Sequence, residues 1–427
     1  MPHAPDRASE KLQNRGVSEA IYLDYHATTP CDPRVVAAMQ PYWTLEFGNP
    51  ASRTHAFGWR AAEAVERARE QVARAIGADP RDVIFTSGAT EANNLALVGV
   101  ARALRERGNG LAVSCTEHKS VLDPADALAA EGMRAVRIPV AADGLLDPER
   151  VRAAVGPRTL LVSVMHANGE IGVIQPLEQI AAVARAAGAL VHCDAAQSLG
   201  KLPVDVERMG VDLLSISGHK LYGPKGIGAL YHRRRNPRLR LAPLLHGGGH
   251  ERGLRSGTLP VPLCVGLGAA CAIACAEREA EAKRLGELRD LLRARIAAGL
   301  EGVTQNGHAT ERLPGNLNLS FAGVEATALV AALDDVAVST GSACSSARPE
   351  ASHVLRALGI GEARALSSVR FGLGRFTTRS EIERAAGRVI AEVQRLRQLS
   401  PRPVSPRDGP TRPRRGRAGG RGPGSGD

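Results

Sequence analysis

The chain has 427 residues, of which 44% are hydrophobic and 23% charged, and a formal net charge of +11. This is the composition of a soluble, alanine-rich globular protein long enough for two or three cores. Its seven cysteines (31, 115, 193, 264, 271, 275 and 344) are odd in number and include no C-x-x-C, which argues against a disulfide framework and a zinc ribbon.

Residues 1–20 are polar throughout, with no apolar stretch for a secretory signal, and are expected to form a disordered extension. From about residue 33 to 235, apolar runs alternate with amphipathic helical stretches. "DVIFTSG" leads into "TEANNLALVGVARAL", and "GLAVSCTEH" into "KSVLDPADALAAEG". "TLLVSVMHANGE" precedes "LEQIAAVARAAG", and "ALVHCDAAQS", "VDLLSISGHK" and "GIGALYHRR" complete the series. Such alternation predicts an α/β fold with a mainly parallel sheet covered on both faces, and chemistry beyond the carboxyl ends of its strands. Those ends carry Ser87-Gly88-Ala89-Thr90, His118, Asn168, Asp194, Gln197 and Ser217 to Lys220.

Next comes a glycine-rich loop, "HGGGHERGLRSGTLP", with no apolar anchor, which is either disordered or held against a partner surface. The second reading is preferred, because the loop joins two domains. The longest uncharged run, Ser256 to Ala276, has two prolines and several glycines and is a poor membrane span. A long helix is predicted over about 263–299, where Cys271 and Cys275 read as small core residues. Short elements follow in "PGNLNLSF", "ATALVAAL", "VAVST" and "SSVRFGLG", with a last helix from Ser380, the pattern of a smaller α+β domain. Residues 401–427 hold seven arginines and two aspartates among six prolines and seven glycines, so they are expected to be disordered. A solvated extension is the plainer reading of that tail, and any contact with nucleic acid would be through it alone.

Several residues suggest chemistry. Lys220, past an apolar strand and beside glycines, can be desolvated into a nucleophile. Asp194, ending an apolar strand, reads alone as a helix cap, but it would also suit a protonated pyridine nitrogen. The turn "TSGATEANN" places free backbone N–H groups and the Thr90 hydroxyl at the positive end of a helix, where a phosphate could bind. Ser217 and His219 are candidate second phosphate ligands. His118 could stack on a flat cofactor and move protons, and equally could be a satisfied loop histidine. Cys115 and His118 have a possible metal spacing with no second pair, so no metal is expected. Arg370, a lone arginine in an apolar strand, needs an anion, for which a substrate carboxylate fits. Cys344 sits in "STGSACSS", a small, polar, turn-prone loop unusual for a free cysteine.

Taken with "YLDYHATTP", "FGNPASRTHAFG", "TEHKSVL", "HCDAAQSLGKLPVD" and "SGHKLYGPKGIGALY", these stretches resemble the cysteine desulfurases of the NifS/IscS class, within the fold type I pyridoxal phosphate enzymes. The likeness runs from about Ile21 to Ser400. It implies a seven-stranded, mainly parallel sheet in a large domain (21–262), whose first strand segment packs with a small domain (263–400) that carries a mobile loop at about 338–352. It further implies that Lys220 holds pyridoxal 5'-phosphate covalently, Asp194 pairs with the ring nitrogen, Gln197 contacts the ring hydroxyl and His118 stacks on the ring. Ala89, Thr90, Ser217 and His219 would hold the phosphate, and Thr258 would reach it from the second subunit of a homodimer. Asn168 is carried as a further cofactor contact and Arg370 as the clamp on the L-cysteine carboxylate. Cys344 would accept sulfur as a persulfide and pass it to an iron–sulfur scaffold or another acceptor protein, for iron–sulfur cluster assembly or tRNA thiolation; it is also a candidate transient ligand of such a cluster. A cytoplasmic setting with reduced thiols follows. The chain departs from the class at Gly169, where a second asparagine is usual, at Gly372, where serine is common, and in its Arg/Gly/Pro tail.

Overall fold

The computed structural model describes residues 20–234, 239–340 and 351–399; the terminal extension, the tail and Cys344 lie outside the described residues. The strands in chain order are β1 (Ile21–Tyr22), β2 (Val83–Thr86), β3 (Gly110–Ser114), β4 (Arg134–Ile138), β5 (Thr159–Ser163) and β6 (Leu190–Asp194). They continue with β7 (Leu213–Ser217), β8 (Gly228–His232), β9 (Val303–Gln305), β10 (Asn316–Phe321), β11 (Val336–Ala337) and β12 (Ser368–Gly372). The helices that matter here are α1 (Ala56–Ala75), α2 (Ala89–Ala103), α3 (Lys119–Ala130), α4 (Leu177–Ala186), α5 (Val261–Gly299) and α6 (Arg379–Leu399).

Seven strands form the main sheet in the order β2-β8-β7-β6-β5-β3-β4. Every neighbouring pair is parallel except the two that involve β8. Because β8 runs against both β7 and β2, the carboxyl ends of β2, β3, β5, β6 and β7 share one rim. Strands β2, β3, β5, β6 and β7 are buried along their whole length, as expected of strands covered by helices on both faces. Strand β4 was not among the predicted runs. It is an edge strand whose Arg134 and Arg137 break the apolar pattern, and Arg137 bonds to Asp126 on α3.

A second sheet, β12-β10-β9, is antiparallel and packs with α6. The N-terminal segment returns to it: β1 pairs with β11, and Ile21 and Leu23 are buried in the same cluster as Leu317, Leu319 and Val389. Helix α5 belongs to both cores. Leu267, Ala270, Cys271 and Ala274 pack in the first core, while Leu285, Leu288, Leu292 and Ile296 pack in the second. Its early turns are built from small residues so that α1 can approach. A Cβ added at Gly268 would lie 2.8 Å from the Ala68 Cα, so only glycine permits this spacing. One window of α5 is apolar enough to cross a bilayer by length and composition alone, and its apolar residues are spent on these two cores.

Candidate active site

The rim is assembled from turns that each follow a buried strand. Lys220 closes a short 3-10 turn (Gly218–Lys220) after β7, and its Nζ donates to the His26 and Ala27 carbonyls at 2.7 and 2.6 Å. Asp194 ends β6 and is buried. Its Oδ1 accepts from the Ala196 N–H at 2.9 Å and its Oδ2 from Asn93 Nδ2 at 2.8 Å. Asn93 also donates to Ser120 Oγ at 2.8 Å, and that hydroxyl lies 2.8 Å from His118 Nδ1. Asp194 and His118 are therefore joined by a chain of three hydrogen bonds through α2 and α3. Nδ1 of His118 also caps α3 by accepting from the Ser120 N–H, so Nε2 of this exposed ring is the atom that could carry a proton.

Helix α2 begins at Gly88 with no side-chain cap, leaving its first N–H groups to an outside acceptor. A Cβ at Gly88 would meet nothing within 4 Å, so the space in front of that turn is open. Ala89 and the exposed Thr90 stand there. Ser217 ends β7 buried, and His219 Nδ1 lies 3.1 Å from Thr28 Oγ1. Burial, with the Lys220 charge added, pushes His219 down to about 4, so it is neutral near pH 7.

Other expected residues are placed differently. The Asn168 side chain is buried and fully engaged by its own turn: its Oδ1 accepts from the Glu170 and Ile171 N–H groups, and its Nδ2 donates to the Thr116 carbonyl. It shapes the rim and offers no side-chain atom to a cofactor. Gln197 Nε2 donates to the His26 carbonyl at 2.9 Å, and its Oε1 pairs with His26 Nδ1 at 3.0 Å. Arg370 already has an anion inside the chain, since its NH2 donates to Asp24 Oδ1 at 2.6 Å. Its Nε is buried and, among the described residues, has no hydrogen-bond partner. The glycine-rich loop has anchors within the chain. Glu251, buried in that loop, forms a two-pronged ion pair with buried Arg69 of α1, both contacts at 2.8 Å, and accepts from the Phe85 N–H. Arg255 of the same loop bonds to Glu91, whose carboxylate also caps the Ser87 N–H. The loop is thus bolted to the turn before α2, with Thr258 exposed at its end.

Sequence reasoning assigned no role to Asn93, His26, Asp24 or Lys201. His26 is buried, and burial, then the charges of Lys201 and Arg370, push it well below its usual pKa. Lys201 donates to the Gln197 carbonyl at 3.1 Å and is pushed down to about 7 by burial and by the Lys220 charge. The two glycine departures lie against this group. A Cβ at Gly169 would lie 2.9 Å from Gln197 Nε2, and one at Gly372 would lie 2.9 Å from the His26 ring and 3.0 Å from its backbone N. At Gly372 the backbone of Tyr25 and His26 stands in the way of a side chain, whereas at Gly169 the obstacle is the movable end of the Gln197 side chain. Position 26 stands in "YLDYHATTP", so an aromatic base beside the lysine turn was the signal available.

Among the described residues no group of three or more metal-ligating side chains occurs. The residues fit pyridoxal phosphate. A buried carboxyl with no ion pair among the described residues, an uncapped helix end facing open space and a lysine on the same rim match its ring nitrogen, phosphate and aldehyde in kind. Comparisons with known proteins agree with that chemistry. The family described as "Aminotransferase class-V" matches residues 21–385. A protein of Anaeromyxobacter sp. (strain Fw109-5) named "Cysteine desulfurase IscS" is 56% identical, over 89% of this chain and 94% of its own. A solved structure titled "NIFS-LIKE PROTEIN" is 34% identical with a TM-score of 0.82, covering 88% of this chain and 99% of that one. Another, titled "SspA in complex with cysteine", is 37% identical with a TM-score of 0.74, covering 84% and 100%.

Proposed function

The chain belongs to the class-V aminotransferase family, and we propose that it converts L-cysteine to L-alanine, keeping the sulfur as a persulfide on Cys344. It is a pyridoxal phosphate-dependent cysteine desulfurase. The observation that carries the residue assignment is the hydrogen-bond chain Asp194–Asn93–Ser120–His118, set on the rim that also carries Lys220.

Lys220 would hold the cofactor covalently, with Asp194 at its ring nitrogen and His118 over its ring. The N-terminus of α2, Thr90, Ser217 and His219 would hold its phosphate. Bound there, it supplies an electron sink for bonds at the substrate's α and β carbons. Arg370, oriented by Asp24, would take the substrate carboxylate on its guanidinium. The Lys220 amine would move the proton at the substrate's Cα, with His118 Nε2 as a second proton carrier. The Cys344 thiolate would attack the substrate sulfur: the S–S bond forms, the C–S bond breaks, and its electron pair stays with the carbon, which takes up a proton to become alanine. A protein acceptor thiol, on an iron–sulfur scaffold or another sulfur carrier, would then take the sulfur. The setting would be the cytoplasm, where thiols stay reduced; the six described cysteines are all free.

Purified protein should be coloured by its cofactor and should release alanine and sulfide in equal amounts from L-cysteine with a reductant. Cys344→Ser should keep the colour and lose the persulfide in intact-mass measurements. Colourless protein, or undiminished sulfide release from Cys344→Ser, would sink this reading.

A homodimer belongs to the same proposal. Trp43 (56% exposed), Leu45 (71%), Phe47 (67%), Phe57 (45%) and Trp59 (58%) crowd one stretch of sequence, and the Phe47 and Phe57 rings meet at 5.5 Å. So much exposed aromatic surface suits a second copy of the chain, which would also bring its Thr258 to the phosphate. Changing Trp43 and Phe47 together to glutamate should shift the protein to monomer in sedimentation equilibrium and weaken cofactor retention. A dimer that survives the change would place the interface elsewhere.

A further inference from the structure

The turn that presents Lys220 is held in a strained backbone conformation. Tyr222, two residues on, has φ of 64° although it carries a bulky aromatic side chain. Residues held there are strained and persist only where the surroundings over-determine them. The surroundings here can be named. Thr29 Oγ1 donates to the His219 carbonyl at 3.0 Å and accepts from the Tyr222 N–H at 2.9 Å, tying the two ends of the turn 219–222 together. The Tyr222 carbonyl accepts from the Asp32 N–H at 2.9 Å. On the far side, the Arg375 guanidinium stacks over the Tyr222 ring at 4.2 Å, and the Arg375 backbone N–H donates to the phenol oxygen at 2.5 Å. Burial keeps that phenol protonated.

Arg375 is itself fixed from two directions. Its NH1 donates to Asp32 Oδ2 at 2.7 Å, and its Nε donates to Glu281 Oε2 of α5 at 2.9 Å. Hydrogen bonds from Arg34 first, and from Arg375 as well, hold the Asp32 carboxyl well below the usual range, so the charge that grips Arg375 persists at any working pH. The segment after β12, the N-terminal segment and α5 thus converge on one strained aromatic residue beside Lys220. None of these contacts touches a reacting group.

We propose that Arg375 is a positioning residue for the reaction: by clamping Tyr222 in its left-handed conformation it aims Lys220 at the cofactor's aldehyde and at the substrate's Cα. The inference rests on the assignment of Lys220 as the cofactor-holding lysine. Borohydride reduction of the wild-type holoenzyme with peptide mapping tests that assignment separately, since a label on any other lysine would defeat it without reference to Arg375.

The clamp is tested with Arg375→Lys, which keeps a cation for Asp32 and Glu281 but loses the planar stack. Tyr222→Phe is the second variant, keeping the ring and every salt bridge while removing the phenol acceptor. Both are read by visible circular dichroism of the bound cofactor and by the rate at which apoprotein regains it, alongside thermal melting. In Arg375→Lys the dichroic band should fall to half or less and uptake should slow several-fold. Its kcat should drop about tenfold, with KM little changed, as a small misplacement of a reacting group does. Tyr222→Phe should change in the same direction by less. Wild-type dichroism and uptake in folded Arg375→Lys would overturn the proposal. If that variant fails to fold, wild-type values in Tyr222→Phe would overturn it instead.

Discussion

Lys220→Ala should lower L-cysteine turnover by about 10³-fold or more while leaving cofactor on the protein. Two functions would go at once: the covalent hold on the cofactor and the amine that moves the substrate's α-proton, a general-base contribution alone worth about 10²–10⁴-fold. The cofactor should stay because the other contacts remain, namely the uncapped start of α2 for its phosphate and buried Asp194 for its ring. The check is a pair of measurements. Borohydride should fix cofactor irreversibly to wild-type protein and not to the variant, and added amines should restore part of the turnover. A variant that keeps more than a tenth of wild-type turnover would remove Lys220 from the chemistry.

Glu251→Ala carries the largest expected loss of stability. Its carboxylate is buried against an equally buried Arg69 in a two-pronged pair and also satisfies the Phe85 N–H. Removing it leaves the buried guanidinium with only the largely exposed Glu66 as counter-ion, and breaking a buried pair from one side costs about 3–5 kcal/mol. The urea midpoint should fall accordingly. Removing both partners, as in Glu251→Ala with Arg69→Met, should cost less than the single change, because no lone charge stays behind. Cofactor retention should also suffer in the single variant. The same loop grips Glu91 through Arg255, and Glu91 orders the turn in front of α2. Equal midpoints for wild type and variant would mean that the pair is energetically idle.

What the sequence exposed and what it hid divide along physical lines. Strands β2, β3, β5, β6 and β7 are covered on both faces, so each shows as an unbroken apolar run, and their carboxyl ends led directly to Ala89, His118, Asp194 and Lys220. Strand β4 lies at an edge, and its arginines look outward, so the period was masked. The glycine-rich loop read as unanchored because its anchor is ionic and its partner is Arg69, 182 positions away. A lone arginine in an apolar strand needs an anion, as Arg370 does, but Asp24, 346 positions earlier, cannot be paired with it from spacing. Asn168 kept the residue type expected of a ligand while spending its amide on its own turn. Gly169 and Gly372 looked like independent departures. In the fold Gly372 lies against the backbone of Tyr25 and His26, while Gly169 faces only the movable end of Gln197, the partner of His26.

Helix α5 runs for 39 residues, on the order of 58 Å at 1.5 Å per residue, and is shared by both hydrophobic cores. A rod held at both ends in this way makes the two halves of the chain poor candidates for exchange or separate expression. Cutting it would leave an open apolar groove on each side, and duplicating either half would need the helix twice. The molecule is modular in its chemistry, with turns that could each be altered alone, but indivisible in its frame.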